Sequence, residues 1–361
     1  MPLYMDRHNV PEAVTPQMAA ELHAADYKVQ HLFNCTVLTY WFDNDRKTAF
    51  CLVNAPNKQA LQDMHNASHG EVAHRIIKVD PDVVESFLGR IEHPTTAPVT
   101  EVPINEAAFR AIMVIDLDQN PLNQSIAYLK RLNKEIVESI LEFEGRVVNQ
   151  SREKFLASFY SITNAVNCAL KIQSQYKNIL KSSEDCGFVM KISLSGDAPV
   201  TEHEHFFETA IKLAERMCKI EKESIILSSE VKDLYKNESL KGFKESDPVF
   251  SLTTADELFL NQVMDYMEKV WNDTSLKVDD FNTQLGLSKS QLYRKMITLI
   301  GKSPNTLLKD YRLNKALKLL AKQKGNISEI AFKTGFNSLS YFSKCFQKKY
   351  NISPSDYLQS K

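Results

Sequence analysis

The last hundred or so residues carry one sixteen-residue plan twice. Phe281–Met296 (FNTQLGLSKSQLYRKM) aligns with Ile330–Cys345 (IAFKTGFNSLSYFSKC) at a spacing of 49 residues. Each copy has a short amphipathic stretch, a glycine (Gly286, Gly335), an apolar residue (Leu287, Phe336), a polar cap (Ser288, Asn337) and a second stretch of helical period. A glycine there permits the positive φ that a tight turn between two helices needs. Leu292 and Met296 are predicted to pack inward in the first copy, and Tyr341, Phe342 and Phe346 in the second. That leaves Lys289, Ser290, Gln291, Arg294 and Lys295 outward, matched by Ser338, Leu339, Ser340, Ser343, Lys344 and Gln347. Short polar groups at a helix start with cations beyond suit the major groove of double-stranded DNA. Between the copies Pro304–Ala321 reads as one long helix.

Charge is partitioned in the same sense. Residues 258–361 hold seventeen Lys/Arg against eight Asp/Glu, leaving 27 basic and 37 acidic side chains for residues 1–257, so a net −1 conceals +9 and −10. Histidine is lopsided too, with seven of nine before Pro94. At 43% apolar and 25% charged residues over 361 positions, collagen-like, disordered and disulfide-scaffold classes are excluded. Six cysteines without a C-x-x-C pair imply reduced thiols. There is no apolar run near eighteen residues and no apolar core in MPLYMDRHNVPEAV, so a cytoplasmic protein without membrane contact is expected.

Two stretches, His93–Glu106 and Lys244–Glu257, are polar, contain proline and read as exposed linkers. They divide the chain into 1–92, 107–243 and 258–361. The front reads β (Leu3–His8), α (Thr15–Phe33), a hairpin (Thr36–Phe42, Thr48–Val53), α (Lys58–His69) and β (Arg75–Val79), the ferredoxin-like βαββαβ order. The middle reads as a second α+β unit: strand Phe109–Leu117, helix Leu122–Phe143, hairpin Arg146–Gln150 with Phe155–Tyr160, helix Ile162–Tyr176, strand Phe188–Leu194, helix Glu204–Ile220 and strand Ile225–Leu227. The expected fold is multidomain: two α+β units, then an all-α double helix-turn-helix.

The tail, through LGLSKSQLYRKMITLIGKSPNTLLKDYRLNKALKLL and ISEIAFKTGFNSLSYFSKCFQKKYNISPSDYL, resembles the AraC/XylS family of transcription regulators. The resemblance implies sequence-specific DNA binding. Asn282 stands where that family usually has alanine.

In the middle, IMVIDL (Ile112–Leu117), the hairpin GRVVNQSREKFLASF (Gly145–Phe159), ISLSGD (Ile192–Asp197) and FFETAIKLAERM (Phe206–Met217) resemble class III nucleotidyl cyclases. The resemblance puts Asp116 at a metal position and Arg216 at a phosphate-stabilising one. The Gly-Asp-Gly turn has become Arg152-Glu153-Lys154, and Lys212 replaces an asparagine that stabilises the transition state. Glu153 keeps a carboxylate, but without the glycines the backbone cannot approach a triphosphate closely, and phosphoryl transfer depends on such positioning. A degenerate, non-enzymatic module for dimerisation or for a small-molecule or nucleotide effector is expected.

The βαββαβ path brings His8, His65 and His69 to one edge, with His65 and His69 at i and i+4 on one helix face. Asp6 shares the strand face of His8. Imidazole nitrogens suit Ni, Zn, Cu or Co. MPLYMDRH, ELHAADYKVQ, LTYWFDNDRKTAFCLVNAP and MHNASHG resemble a family of small nickel-binding ferredoxin-like proteins that associate as dimers. The resemblance implies His8, His65 and His69 as ligands, then His23 with Asp26 one turn on, nickel as the metal, and a homodimer. His31 and His74 fall outside its pattern. The chain is therefore expected to be a transcription regulator. A cyclase regulated by DNA binding and a metal-buffering protein stand as alternatives.

Overall fold

The front strands alternate buried side chains between two sides, which forces a sheet covered on both faces. A computed structural model describes residues 1–93, 103–119, 126–181, 188–239 and 247–359. The front unit runs β1 (Leu3–Asn9), α1 (Pro16–Val29), a 3-10 turn (Gln30–Phe33), β2 (Thr36–Asp43), β3 (Thr48–Asn54), α2 (Lys58–Ser68), β4 (Arg75–Val79) and α3 (Pro81–Leu88). Its sheet has the order β2-β3-β1-β4, all antiparallel. Tyr4, Tyr40, Phe42 and Val53 face α1 and α2; Leu3, Met5, Trp41, Phe50 and Leu52 face the other way. The helix expected to reach Phe33 stops at Val29, where the chain tightens before left-handed Asn34 (φ 53°). Helix α3 was not foreseen, although Asp80 caps it, Pro81 opens it and Gly89 closes it.

The middle unit runs β5 (Arg110–Gln119), α4 (Ile126–Glu142), β6 (Arg146–Gln150), β7 (Lys154–Phe159), α5 (Ile162–Lys181), β8 (Phe188–Asp197), α6 (Glu208–Met217), β9 (Ile225–Leu227), α7 (Ser229–Glu238) and β10 (Val249–Ser251). The sheet order is β10-β9-β8-β5-β7-β6, with β8, β9 and β10 mutually parallel. From β5 to β8 the path βαββαβ and the strand order repeat those of the front unit. Ala111, Met113, Ile115 and Leu117 pack under α4 and α5. The alternate residue Ile112 joins the free face of the front sheet in one core with Phe87, Val200, Phe206, Phe207 and Ala210. The two sheets thus close each other's open faces, with α3 and the start of α6 between them.

The tail holds α8 (Thr254–Val270), α9 (Val278–Leu285), α10 (Lys289–Ile300), α11 (Pro304–Ala321), α12 (Ile327–Lys333), α13 (Leu339–Tyr350) and α14 (Pro354–Gln359). Residues 247–257 are not an exposed linker. β10 pairs with β9, Leu252 is buried, and α8 begins at Thr254 within a capping box. The reason is tertiary: Phe259, Leu260, Val263, Met264 and Met267 of α8 share a core with Val114, Ala214, Met217 and Ile226 of the middle unit. Ile104 and Glu106 are also packed. The Ile104 amide donates to the Tyr40 hydroxyl at 2.9 Å, and Glu106 pairs with Arg90 and Arg110. Residues 94–102, 122–125 and 244–246 of the predicted linkers and helix lie outside the described residues. Helix α6 begins at Glu208, not Glu204, after left-handed Phe207.

Phe207 is fully buried and stacks on Phe87 across the junction, with ring centroids 4.9 Å apart. Phe207→Ala is expected to cost about 3–5 kcal/mol in chemical denaturation. Trp41 lies in the same core, so its fluorescence should report that loss together with the far-UV signal of the whole chain.

Candidate functional site

In the tail, Gly286 (φ 64°) and Gly335 (φ 83°) take the left-handed conformation expected at the two turns. A Cβ on Gly335 would lie 2.7 Å from the Trp271 carbonyl oxygen, so only glycine fits there. Ser288 caps α10 as expected by accepting from the Gln291 amide, whereas α13 is capped not by Asn337 but by Ser338, which accepts from the Tyr341 amide. Leu292, Met296, Phe342 and Phe346 are buried as expected, but Tyr341 is not. It is half exposed, because Phe336, Phe342 and Phe346 already fill the space beneath α13.

Lys289, Ser290, Arg294, Ser340, Lys344 and Gln347 stand exposed on the outer faces of the two helices, and Ser338 is partly exposed at its cap. Gln291 and Lys295 are exposed as expected, and each also makes a contact within the chain. Gln291 completes a capping box by accepting from the Ser288 amide at 2.9 Å, and the Lys295 ammonium lies over the Phe259 ring, 4.3 Å from its centroid. Tyr293 and Ile297 are exposed on α10 as well. Spacing alone could have found them, since 290, 293, 294 and 297 fall on one helical face. Asn282 keeps a buried amide oxygen without a hydrogen bond, the local cost of replacing alanine.

The front brings His8, His65 and His69 together, with ring centroids 5.0 Å (His8–His65), 5.2 Å (His65–His69) and 6.4 Å (His8–His69) apart. His65 is fully buried. Its Nε2 lies 2.7 Å from Asp6 Oδ2 and its Nδ1 3.1 Å from the Asp26 carboxylate. Carboxylates only accept, so both ring nitrogens carry protons and the imidazole is cationic. Burial opposes that charge, but the hydrogen bonds to Asp26 and Asp6 outweigh it and raise the pKa to about 10. Burial would lift Asp6 and Asp26; the surrounding histidines hold both well below the ordinary carboxylate range instead.

His69 Nε2 is 3.3 Å from Asp26, while buried His8 Nε2 lies 3.4 Å from Asp6 Oδ1 without making a hydrogen bond. Asp26, His65 and His69 offer ligand atoms within 4.8 Å of one another, and so do Asp6, His8 and Cys51. Nitrogen and oxygen donors plus one orphaned imidazole nitrogen fit a borderline transition metal. Cys51 was missed because it lies on β3, one strand away from both sequence clusters. His23 stands aside: its ring packs on Tyr40 at 4.6 Å, and burial lowers its pKa to about 4.

Residues 282–360 match a family model described as a helix-turn-helix domain, and residues 4–79 one described as nickel responsive protein SCO4226-like. The tail is an AraC-type helix-turn-helix domain, and the front is a SCO4226-like domain. Histidine kinase P4 of Formosa agariphila is 36% identical to this chain over 107 residues, 30% of the chain and 8% of the kinase. The HTH-type transcriptional regulator MtrA of Neisseria gonorrhoeae is 32% identical over 98 residues, 27% of the chain and 31% of MtrA. This chain thus spans less than a third of the length of either relative. SCO4226 of Streptomyces coelicolor A3(2) is 28% identical, with 21% of this chain and 94% of that one covered and a TM-score of 0.21. The C-terminal domain of AraT from Geobacillus stearothermophilus is 29% identical, covering 28% and 84% at a TM-score of 0.27.

Neither family match reaches the middle unit, where the three cyclase-position residues each have their own surroundings. Asp116 Oδ2 pairs with Lys219 Nζ at 2.7 Å, and Glu153 is exposed in a turn closed by Ser151. Arg216 is buried and turned toward α8. Its Nη1 donates to Asn261 Oδ1 at 2.8 Å, and its Nη2 to Asp265 at 2.5 Å and Glu268 at 3.1 Å. Lys212 adds a 3.0 Å pair to Asp265. The β5–β7 register sets Asp116 opposite Lys154, one residue from Glu153.

Asp265→Asn with Glu268→Gln leaves a buried guanidinium without counter-charge. We expect a loss of about 2–3 kcal/mol in urea denaturation, less than for a fully buried pair because both carboxylates meet water. Adding Arg216→Met should recover part of it.

Proposed function

We propose that this chain is a sequence-specific DNA-binding transcription regulator whose front domain binds a transition metal. The carrying observation is that α10 and α13, each opened by a serine cap, stand exposed on a segment bearing a net charge of +9. Helix α11 joins them with eighteen residues, about 27 Å at 1.5 Å per residue, which suits two reading helices on one face of a duplex about one turn apart. Arg294 and Lys344 supply side chains for base edges, and Lys289 a charge for the phosphate backbone. Ion pairing of Asp116 and Arg216 within the chain favours a non-catalytic middle unit over a cyclase.

His8, His65 and His69, with Asp6 and Asp26, would hold the metal, and nickel is the first choice from the SCO4226-like match. A divalent ion would supply positive charge at the two buried carboxylates. His65 must give up a proton for one of its nitrogens to become a ligand, so its salt bridges to Asp6 and Asp26 compete with binding.

A packed route joins this cluster to the tail. Arg7, between Asp6 and His8 on β1, donates to the Val200 carbonyl at 3.2 Å. Val200 and Phe207 pack at the start of α6, and Arg216 at its end grips α8. The Ser193 and Ser195 hydroxyls hold α6 on β8 by donating to the Ala214 and Ala210 carbonyls at 2.7 and 2.6 Å. A shift of β1 on metal binding would therefore reach α8 through one short helix. A two-state element biased from both ends is the physical requirement for coupling.

In vitro selection from a random duplex library with the full-length chain should recover a consensus, and binding to it should weaken steeply with salt. Arg294→Ala and Lys344→Ala are each expected to lower affinity about tenfold or more in gel shifts, with relaxed specificity at separate positions. Recovery of no consensus defeats the reading. By calorimetry with Ni2+ or Zn2+, His8→Ala and His69→Ala should each weaken binding by at least about tenfold, with His74→Ala as the unchanged control. Equal affinity in all four proteins would remove this cluster as the metal site.

A further inference from the structure

The outer stripe of α10 is not the polar surface that solvent alone would favour. Tyr293 and Ile297 are 56% and 41% exposed, one position before and three positions after Arg294, and Leu339 at the first position of α13 is 40% exposed. Lone exposed apolar residues need no explanation. These three, however, stand on the outward faces of both second helices, beside exposed polar and basic side chains. Two of their neighbours are exposed but held by contacts within the chain: Lys295 lies over Phe259, and Gln291 is closed into its own cap. Ser290, Tyr293, Arg294 and Ile297 share one exposed face of α10, two apolar groups beside one guanidinium.

In the major groove only one base edge carries an apolar group, the C5-methyl of thymine, while guanine presents two acceptors that a guanidinium meets in bidentate fashion. From this we propose that Tyr293, Ile297 and Leu339 are specificity-determining residues that read thymine methyl groups, with Arg294 reading a neighbouring guanine. The inference rests on the DNA-binding reading above and adds to it a base identity for each motif. Tyr293 and Ile297 act on the half-site under α10, and Leu339 acts on the half-site under α13.

Deoxyuridine tests this, because it removes the methyl and leaves the pairing edge intact. The probe is the consensus duplex selected by the full-length protein, with thymines replaced one at a time by deoxyuridine and affinity read by fluorescence anisotropy. At one or more positions in each half-site the loss should be about fourfold, the worth of burying one methyl-sized group. Tyr293→Ser and Ile297→Ser should erase the loss in the first half-site only, and Leu339→Ser in the second only. All three residues lie outside the cores, and an unchanged far-UV spectrum and melting temperature for each variant serve as the control for folding. If the wild-type protein binds thymine and uracil duplexes alike, the inference is overturned although DNA binding stands. It is also overturned if the serine variants keep the full uracil effect. If no duplex is selected at all, the DNA-binding reading fails and this inference with it.

Discussion

Much of this molecule depends on one ten-residue helix lying across two cores. The start of α6 packs with Phe87, Ile112 and the free face of the front sheet; its end packs with Val114 and the apolar stripe of α8. Apolar area near Phe207 and Met217 supplies the adhesion, because hydrophobic burial scales with area and is indifferent to direction. Direction comes from polar groups. Two serine hydroxyls of β8 fix the helix to its sheet, and the Arg216 guanidinium fixes α8 to the helix. A planar fork with several donors specifies one placement of α8 where apolar contact alone would permit sliding.

The buried charges follow a common economy. Arg216 meets two carboxylates that remain partly in water, so the desolvation cost falls mostly on one ion. In the front, two carboxylates and one imidazolium are buried together, and the second proton on His65 is what makes both carboxylates tolerable there. A divalent cation is the natural replacement for that proton, which is why a compact ion-pair cluster and a metal site can be built from the same side chains.

The periodic parts of the fold were legible in the sequence. Arg75–Val79 and Ile225–Leu227 coincide with β4 and β9, and both glycine turns have the positive φ expected of them. The convergence of His8, His65 and His69 followed from topology alone. What escaped depends on contacts between units. Val249–Ser251 is only three residues long and lies in a polar, proline-containing stretch that passes for a linker; it is a strand because the edge of β9 is there to pair with it. Tyr341 looked like core because aromatic residues usually are, yet three phenylalanines had already filled the volume. Cys51 joins the metal-ligand groups through strand pairing, which spacing along the chain does not encode. The engagement of Lys295 and Gln291 likewise comes from α8 and from cap geometry, neither visible in a charge pattern.

The two helix-turn-helix motifs are unequal in attachment. α10 shares its core with α8 and the middle unit, and the first half of α11 belongs to that core as well. α13 has a separate core with the second half of α11, α12 and α14. The bulk of the chain therefore travels with one motif, and the other is held mainly by the second half of α11, with its Gly335 turn set against the Trp271 carbonyl at the end of α8. Seated on a duplex, such a molecule has a heavy end and a light end. It would lie along DNA with polarity, its front domains always over the same half of the operator, so that reversing the site relative to a promoter would carry the whole body to the opposite side.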